Sequence, residues 1–191
     1  MPGRHLPVGV YEKHYLASDD PRAQSGFRGD EARWALHRRP ILAAIDRDGS
    51  LLDVGCANGH LLESLVAWSP HRLEPYGLDF SSRLVALARD RLPHWRDRFF
   101  FGDVLEWTPP QRFDFVRTEL VYVPPERRRE LVERVLAYTS RLVVCGYGSV
   151  RRDDPAEDVG ALLRSWGYVV VGESEAQEDG FLVTRVAWIE E

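Results

Sequence analysis

A glycine-containing turn between an apolar strand and an amphipathic helix is the feature that most constrains this chain. The segment LLDVGCANGHLLE, residues 51–63, begins as a compact apolar run and continues into a stretch with leucines on one helical face. Glycines at positions 55 and 59 let the backbone turn sharply and approach a ligand closely, and the free amides of the helix start face the same spot. The sequence therefore predicts a strand–turn–helix unit with a ligand site at the turn.

Two well-known nucleotide-binding turns fit this segment poorly. Aligned to the dinucleotide pattern G-x-G-x-x-G, the glycine positions are Gly55, Ala57 and His60, so two of the three glycines are missing. The chain has no Gly-Lys-Ser or Gly-Lys-Thr, which excludes a P-loop. Asp53 ends the strand with a carboxylate that suits a positive group on the ligand, directly or through water, and that would repel a pyrophosphate. A nicotinamide-dependent enzyme on a related sheet is kept as an alternative.

The chain from Ser50 onward alternates short apolar runs with stretches of helical period, which is typical of an α/β domain with a parallel sheet. Strands are predicted at 51–55, 75–80, 99–104, 113–123 and 142–148, and helices at 60–68, 81–92, 125–138 and 154–167. The helix at 81–92 is predicted to open with a serine cap. Two further apolar segments, YVVVGES and FLVTRVAWIE, are separated by the polar stretch AQEDG and predict a hairpin. We therefore expect a seven-stranded, mostly parallel sheet with helices on both faces and an antiparallel C-terminal hairpin.

The first part of the chain stands outside this alternation. An irregular polar-aromatic stretch runs to about Gly29, and a helix capped by Asp30 is predicted over DEARWALHRRPILAAI. With no long linker, we expect one structural unit, made of an N-terminal cap over residues 1–40 and a Rossmann-like domain over residues 41–191. The cap is predicted to be a mobile lid that orders over the site when ligands bind. The competing interpretation is a disordered tail over residues 1–29.

Two more aspartates follow the next predicted strands. Asp79 ends the second strand, 20 residues after Gly59, where a carboxylate can accept both hydroxyls of a ribose. Asp103 follows the third strand and suits an adenine amino group, with the Val104 backbone at the ring edge and Phe80 available for stacking. A single aspartate at a strand end is commonly a turn or cap residue. Three on successive strand ends behind a glycine turn indicate an adenosine-containing ligand.

These motifs resemble those of the class I S-adenosylmethionine-dependent methyltransferases. DVGCANG looks like the first motif of that family, with Ala57 where glycine is commoner. YGLDFS looks like the acidic ribose-binding motif, and FGDVLEW like the adenine-binding motif. FDFVRTELVYVPP resembles the segment at strand four that faces the methyl group, and the closing hairpin is similar to the family's last two strands. The resemblance covers roughly residues 40–191.

The resemblance implies methyl transfer from S-adenosylmethionine to an oxygen or nitrogen nucleophile of a small molecule. The cofactor-binding residues that it implies are Asp53, Gly55, Cys56, Ala57, Gly59, Asp79, Phe80, Asp103, Val104 and Glu119. Because the sulfonium is already a strong methyl donor, the protein mainly has to hold the acceptor in line, and a general base is optional. The candidates for that catalytic help are Glu119, Tyr122, Tyr11, His14 and Tyr15. A catalytically inactive protein that still binds the cofactor is kept as another alternative.

Composition restricts the partners. The net charge of −5 leaves no basic field for a nucleic-acid backbone, so a small-molecule acceptor is favoured over nucleic acid. Cys56 and Cys145 lie far apart, which excludes a cysteine-based zinc framework and fits a reducing cytoplasm. The six histidines show no ligand spacing, so we predict no metal. Without a secretory signal or a membrane-spanning run, the chain is expected to be a cytoplasmic monomer or homodimer with no membrane partner.

Overall fold

Seven strands form one sheet in the computed structural model, which describes residues 7–149 and 153–191. In chain order they are β1 Gly49–Val54, β2 Leu73–Asp79, β3 Phe99–Phe101, β4 Phe113–Glu119, β5 Thr139–Tyr147, β6 Val170–Glu178 and β7 Phe181–Glu190. Their order across the sheet is β3-β2-β1-β4-β5-β7-β6. Six strands run in one direction, while β7 pairs antiparallel with both β5 and β6. The predicted mostly parallel sheet with a C-terminal antiparallel hairpin is confirmed.

Helices cover both faces of this sheet. They are α1 Val8–Tyr15, α2 Glu31–Arg38, α3 His60–Trp68, α4 Ser82–Arg91, α5 Arg128–Leu136 and α6 Val159–Ser165. Neighbouring β1 residues Leu51 and Leu52 belong to different buried clusters, because successive side chains of a strand point to opposite faces. The cluster with Leu51 includes residues of α2, α3 and α4, and the cluster with Leu52 includes residues of α5 and α6. Within the described residues, no helix is long and apolar enough to cross a membrane.

Side-chain caps fix where three of the helices begin. The carboxylate of Asp30 accepts a hydrogen bond from the backbone N–H of Arg33, and the Ser81 hydroxyl accepts one from that of Leu84. Both caps were predicted and are confirmed, since each satisfies an N–H group that the first helical turn leaves unpaired. Asp158 caps α6 in the same way, so this helix begins at Val159, later than predicted from residue 154.

The N-terminal segment differs from its prediction in two places. Residues 8–15, expected to be irregular, form α1, a helix with no buried residue, which explains why no apolar period marks it in the sequence. The helix predicted from Asp30 over 16 residues ends at Arg38 and continues as a 3-10 helix, Arg39–Ala44. Pro40 explains the change, because a proline lacks the N–H that a continued α-helix needs. Residues 1–6 of the predicted cap lie outside the described residues.

Strand ends also differ from the prediction. The polar residues Ala176–Glu178, assigned to the connection of the hairpin, extend β6, so that the connection is the tight turn Asp179–Gly180. Both turn residues have positive φ, 52° and 78°, which is the conformation that an Asp-Gly pair favours in a two-residue hairpin turn. β3 and β4 are shorter than predicted and end at Phe101 and Glu119. The candidate site lies at the edge of the sheet that is formed by the carboxyl ends of the parallel strands.

Trp34 fastens the N-terminal segment to the sheet domain. Its side chain on α2 is 1% exposed, and its indole Nε1 donates a hydrogen bond to the Ser64 hydroxyl on α3 at 2.9 Å. The ring stacks on His60 with centroids 5.0 Å apart and meets Phe27 edge to face at 5.2 Å. A large side chain that fills a core and pairs its polar atom holds the two helices together.

Replacing Trp34 by alanine should lower the free energy of unfolding by about 3 to 5 kcal/mol, because it leaves a cavity between α2 and α3. Leu36→Ala is the matched control on the same helix, since Leu36 is 42% exposed; it should change stability by less than about 0.5 kcal/mol. Urea unfolding followed by circular dichroism measures both values. Equal losses in the two variants would show that Trp34 does not anchor the segment.

Candidate active site

A cavity of about 540 Å³ lies at the carboxyl ends of β1, β2, β4 and β5, beside α1 and the segment that precedes α2. Ten of the predicted site residues line it: Asp53, Gly55, Cys56, Ala57, Asp79, Phe80, Glu119, Tyr122, Tyr11 and Tyr15. The other four, Gly59, Asp103, Val104 and His14, do not. Residues distant in sequence therefore meet at one edge of the sheet, which is where ligands bind in open α/β folds.

The turn after β1 forms the floor of the cavity. Gly55 has φ +80°, and a Cβ there would lie 2.3 Å from the Tyr122 ring, so only glycine fits under that tyrosine. Ala57 also has a positive φ, 47°, a conformation that costs a non-glycine residue some strain. Its backbone N–H is held by a hydrogen bond to Asp79 Oδ2 at 2.9 Å. The alanine is thus accommodated where the resemblance would lead one to expect glycine.

Asp79 is buried between this turn and the start of α4. Its Oδ1 accepts a hydrogen bond from the Ser81 N–H at 2.8 Å, and its Oδ2 accepts the one from Ala57. Burial raises the pKa of Asp79 to about 6, although both backbone N–H groups favour the ionised form. Each carboxylate oxygen keeps one lone pair, so the group can still accept a hydrogen bond from a ligand.

Four predicted site residues lie outside the cavity lining. Gly59, with φ +77°, precedes α3 and lets the chain enter that helix. Asp103 is exposed, and its Oδ1 accepts a hydrogen bond from the Leu105 N–H, as a turn-forming aspartate does. The Val104 side chain is buried in the core. His14 is exposed and lines a second cavity, between α1 and residues 17–28. Adenine binding by Asp103 and Val104 stays a prediction.

Asp53 has a partner that the sequence analysis missed. Its Oδ1 accepts a hydrogen bond at 3.0 Å from Nη1 of Arg117 on β4. Only the other oxygen of Asp53 is therefore left for the predicted pairing with a positive group of the ligand. The other oxygen, Oδ2, is buried and has no hydrogen-bond partner among the described residues. Burial raises the pKa of Asp53 to about 6, against the opposing effect of the guanidinium.

Arg117 joins four polar side chains at the ends of three strands. Its Nη2 donates to Glu119 Oε1 and to the Tyr147 hydroxyl, the latter at 3.1 Å. The Tyr122 hydroxyl donates to the same Glu119 oxygen at 2.9 Å. The Arg117 side chain is 2% exposed, so these partners replace water around a buried charge. One signal could have found it, namely an arginine inside the apolar strand FDFVRTE.

Arg38 is a second buried guanidinium that the sequence analysis missed. The residue is 8% exposed, and its guanidinium carbon lies 3.7 Å from the centroid of the Tyr147 ring and 4.9 Å from that of Trp34. Its Nη1 has no hydrogen-bond partner in the part of the chain that the structure describes. Stacking on aromatic rings stabilises the charge without saturating its N–H donors. Arg38 lines the cavity and is therefore suited to an anionic group of a ligand.

Asn58 clamps the N-terminal segment onto the turn after β1. Its side chain is fully buried, and the Nδ2 group donates to the Pro21 carbonyl and to Gln24 Oε1, at 2.9 and 3.1 Å. The Ser25 hydroxyl donates to Asn58 Oδ1 at 2.6 Å. A fully satisfied buried amide fixes the position of both segments relative to each other. Residues 21–25 are therefore held in a fixed position against the turn after β1.

Contacts with the end of β2 hold α1 over the cavity. The Ser81 hydroxyl donates to Glu12 Oε1 at 2.7 Å, and the rings of Tyr11 and Phe80 meet edge to face at 5.6 Å. Ser81 also donates its backbone N–H to Asp79. This one residue therefore links α1, which forms the roof of the cavity, to the buried carboxylate of Asp79.

Comparison with known proteins identifies the type of domain. Residues 51–140, which include the turn after β1, Asp79 and all of β4, match the family model described as a methyltransferase domain. Residues 51–140 therefore form a methyltransferase domain of the class I S-adenosylmethionine-dependent type. The protein is a methyltransferase, and its cofactor is S-adenosylmethionine.

Solved structures of other methyltransferases share this fold. The N-methyltransferase NodS from Bradyrhizobium japonicum, in complex with S-adenosyl-L-homocysteine, is 16% identical with a TM-score of 0.69, over 96% of this chain and 97% of that chain. Magnesium protoporphyrin IX methyltransferase from Synechocystis, with bound S-adenosylmethionine, is 15% identical with a TM-score of 0.64, over 96% of each chain. The small RNA methyltransferase HEN1 is 16% identical with a TM-score of 0.64, over 86% of this chain and 26% of that chain. A search of curated proteins finds no match.

Replacing Asp79 by asparagine should weaken S-adenosylhomocysteine binding at least tenfold, since a charge-assisted hydrogen bond contributes roughly 1.5 to 3 kcal/mol. The wild-type affinity should also fall when the pH is lowered from about 8 to about 5, because carboxylates with a pKa near 6 take up protons in that range and accept hydrogen bonds less well. The Asp79→Asn variant should show a smaller fall. Calorimetry across the pH range measures both effects.

Glu74→Gln is the matched control for this experiment, since Glu74 is an exposed carboxylate at the other end of β2. Its affinity and pH profile should match those of the wild type. An Asp79→Asn variant with wild-type affinity would show that the ribose does not lie against this carboxylate.

Proposed function

We propose that this methyltransferase transfers the methyl group of S-adenosylmethionine to an oxygen or nitrogen nucleophile of a small molecule. The observation that supports this proposal is the cavity, which lies between α1 and the strand ends. Tyr11 and Tyr15 of α1 line it together with Glu119 and Tyr122 at the end of β4. A roofed, aromatic-lined cavity suits an acceptor small enough to enter it. The net charge of −5 supports the same conclusion, because it gives no general attraction to a nucleic-acid backbone.

The lining offers a partner for each polar part of the cofactor. Asp79 would accept the ribose hydroxyls, and Phe80 would pack against the adenine. The free Oδ2 of Asp53 would accept a hydrogen bond from the amino group of the methionine part. The free Nη1 of Arg38 would bind the carboxylate of that part.

Bound S-adenosylmethionine supplies a methyl group activated by a sulfonium. The task of the protein is to hold the acceptor in line with that group and to keep water out, and orientation of this kind contributes up to roughly 7 to 11 kcal/mol. Glu119 and Tyr122 stand at the end of β4, and Tyr11 and Tyr15 approach from α1. We assign the four side chains to acceptor positioning. His14, which lines the second cavity, is proposed only as a residue at the entrance to the site.

We further propose that α1 is a lid. It has no buried residue and is held by Glu12, Tyr11 and Tyr15, whereas residues 21–25 are clamped by Asn58. The hinge would lie between these parts, at residues 16–20. The cap predicted over residues 1–40 thus divides into a helix that opens and a segment that stays on the core.

The acceptor class is tested with radiolabelled S-adenosylmethionine and a cell extract separated by ultrafiltration. Label should appear in a small-molecule product that chromatography separates from unreacted S-adenosylmethionine, because the roofed cavity admits small acceptors. RNA and protein fractions, treated in parallel with nuclease or protease, serve as controls. Label that appears in the RNA fraction and disappears on nuclease treatment would overturn the small-molecule assignment.

Deleting residues 1–17 should abolish methyl transfer while S-adenosylhomocysteine binding is retained. The deletion removes the roof and leaves the Asn58 clamp, Asp53 and Asp79 intact. Calorimetry measures the binding of S-adenosylhomocysteine, and an assay of S-adenosylhomocysteine production measures methyl transfer. Lys13→Ala is the control within α1, since Lys13 is exposed, and it should leave both unchanged. Full activity in the shortened chain would show that α1 is not needed to close the pocket.

A further inference from the structure

A single guanidinium separates two carboxylates in the cavity. Arg117 uses Nη1 for Asp53 Oδ1 and Nη2 for Glu119 Oε1. Each carboxylate therefore binds the arginine through one oxygen only. The second oxygens, Asp53 Oδ2 and Glu119 Oε2, accept no hydrogen bond from any described residue. The cluster thus presents two free acceptor atoms to the ligand, one on β1 and one on β4.

The free oxygen on β4 opens into the cavity. The Glu119 side chain is 19% exposed, in contrast to Asp53 at 1%. Tyr122, whose hydroxyl donates to Oε1, and Tyr15 from α1 line the cavity with it. Burial and the negative charge of Glu119 raise the pKa of Tyr15, which keeps that phenol neutral. The side chains around Oε2 are therefore aromatic, and both terminal nitrogens of Arg117 already donate to protein side chains.

An unpaired carboxylate oxygen among aromatic rings favours a hydrogen-bond donor, and it favours an amine that can carry a positive charge over a neutral hydroxyl. An amine gains a hydrogen bond to Oε2 and, when protonated, an attraction to the carboxylate and to the ring faces. A carboxylate or phenolate acceptor would be repelled by Oε2, and both terminal nitrogens of Arg117 are already engaged. Arg38 is assigned to the carboxylate of the cofactor.

Resting on the proposed function, we infer that the acceptor is a primary or secondary amine whose N–H is held by Glu119 Oε2. The amine attacks as the neutral form, and its lone pair bonds to the methyl carbon as the bond from that carbon to sulfur breaks. The sulfur keeps the electron pair of the broken bond. The product nitrogen carries one extra proton, which leaves to Glu119 or to water. Arg117 is the positioning residue, since it fixes the carboxylate through Oε1.

The inference is tested with matched probes that differ in one group: benzylamine, benzyl alcohol and benzoate, together with a wider set of amines, alcohols and acids. Calorimetry on the protein loaded with S-adenosylhomocysteine measures binding, and production of S-adenosylhomocysteine from S-adenosylmethionine measures turnover. The amines should bind more tightly and be methylated faster than the alcohols, and the acids should not bind. Glu119→Gln should weaken amine binding roughly 10- to 150-fold, the loss of one charge-assisted hydrogen bond.

Two further variants keep the result interpretable. Glu119→Asp retains the charge and should recover part of the amine binding, whereas Glu126→Gln, an exposed carboxylate outside the cavity, should behave as the wild type. S-adenosylhomocysteine affinity should be unchanged in Glu119→Gln, which also shows that this variant folds. If that affinity falls with the amine affinity, Glu119 holds the cofactor and the inference is wrong.

Other results also overturn it: turnover of alcohols or acids in preference to amines, or no binding of any amine to the loaded protein. Failure of the proposed function looks different. In that case macromolecular fractions accept the label, or the protein does not bind S-adenosylhomocysteine at all.

Discussion

The buried Arg117 guanidinium is the interaction on which the site depends. A charge removed from water is costly unless it is paired and hydrogen-bonded, and Arg117 meets that requirement through Asp53, Glu119 and Tyr147. These partners stand on β1, β4 and β5, so satisfying one charge brings three strand ends into a fixed arrangement. Asp53 and Arg117 are also cross-strand neighbours in the β1–β4 register. The sheet itself therefore sets the distance between the pair.

The cluster also explains why the two carboxylates can have different roles. Both are oriented by the same guanidinium, yet Asp53 is enclosed and Glu119 faces the cavity. An enclosed oxygen suits the cofactor, which is the same molecule in every turnover. An oxygen at the cavity suits the proposed acceptor. One buried arginine thus supports both binding positions without being available to either ligand.

A chain of hydrogen bonds connects the roof to the floor of the cavity. Ala57 and Ser81 donate to the two oxygens of Asp79, and the Ser81 hydroxyl donates to Glu12 on α1. A ligand that binds Asp79 therefore acts on a carboxylate whose other neighbours hold the turn and the roof. Asn58 adds a second link, between the same turn and residues 21–25. These contacts connect the proposed cofactor site to the N-terminal segment.

The sequence alone determined the order of helices and strands along the chain, the turn at residues 53–59 and ten of the residues that line the cavity, because these depend on local periodicity and on glycine at positive φ. It also located the caps at Asp30 and Ser81, whose partners lie three residues away. It did not reveal Arg38 or Arg117 as site residues, nor α1 as a helix. Those features depend on partners far away in sequence: Arg117 acquires its role from Asp53, 64 residues earlier. Only the tertiary structure brings such partners together, and only burial turns an ordinary arginine into a charge that must be paired.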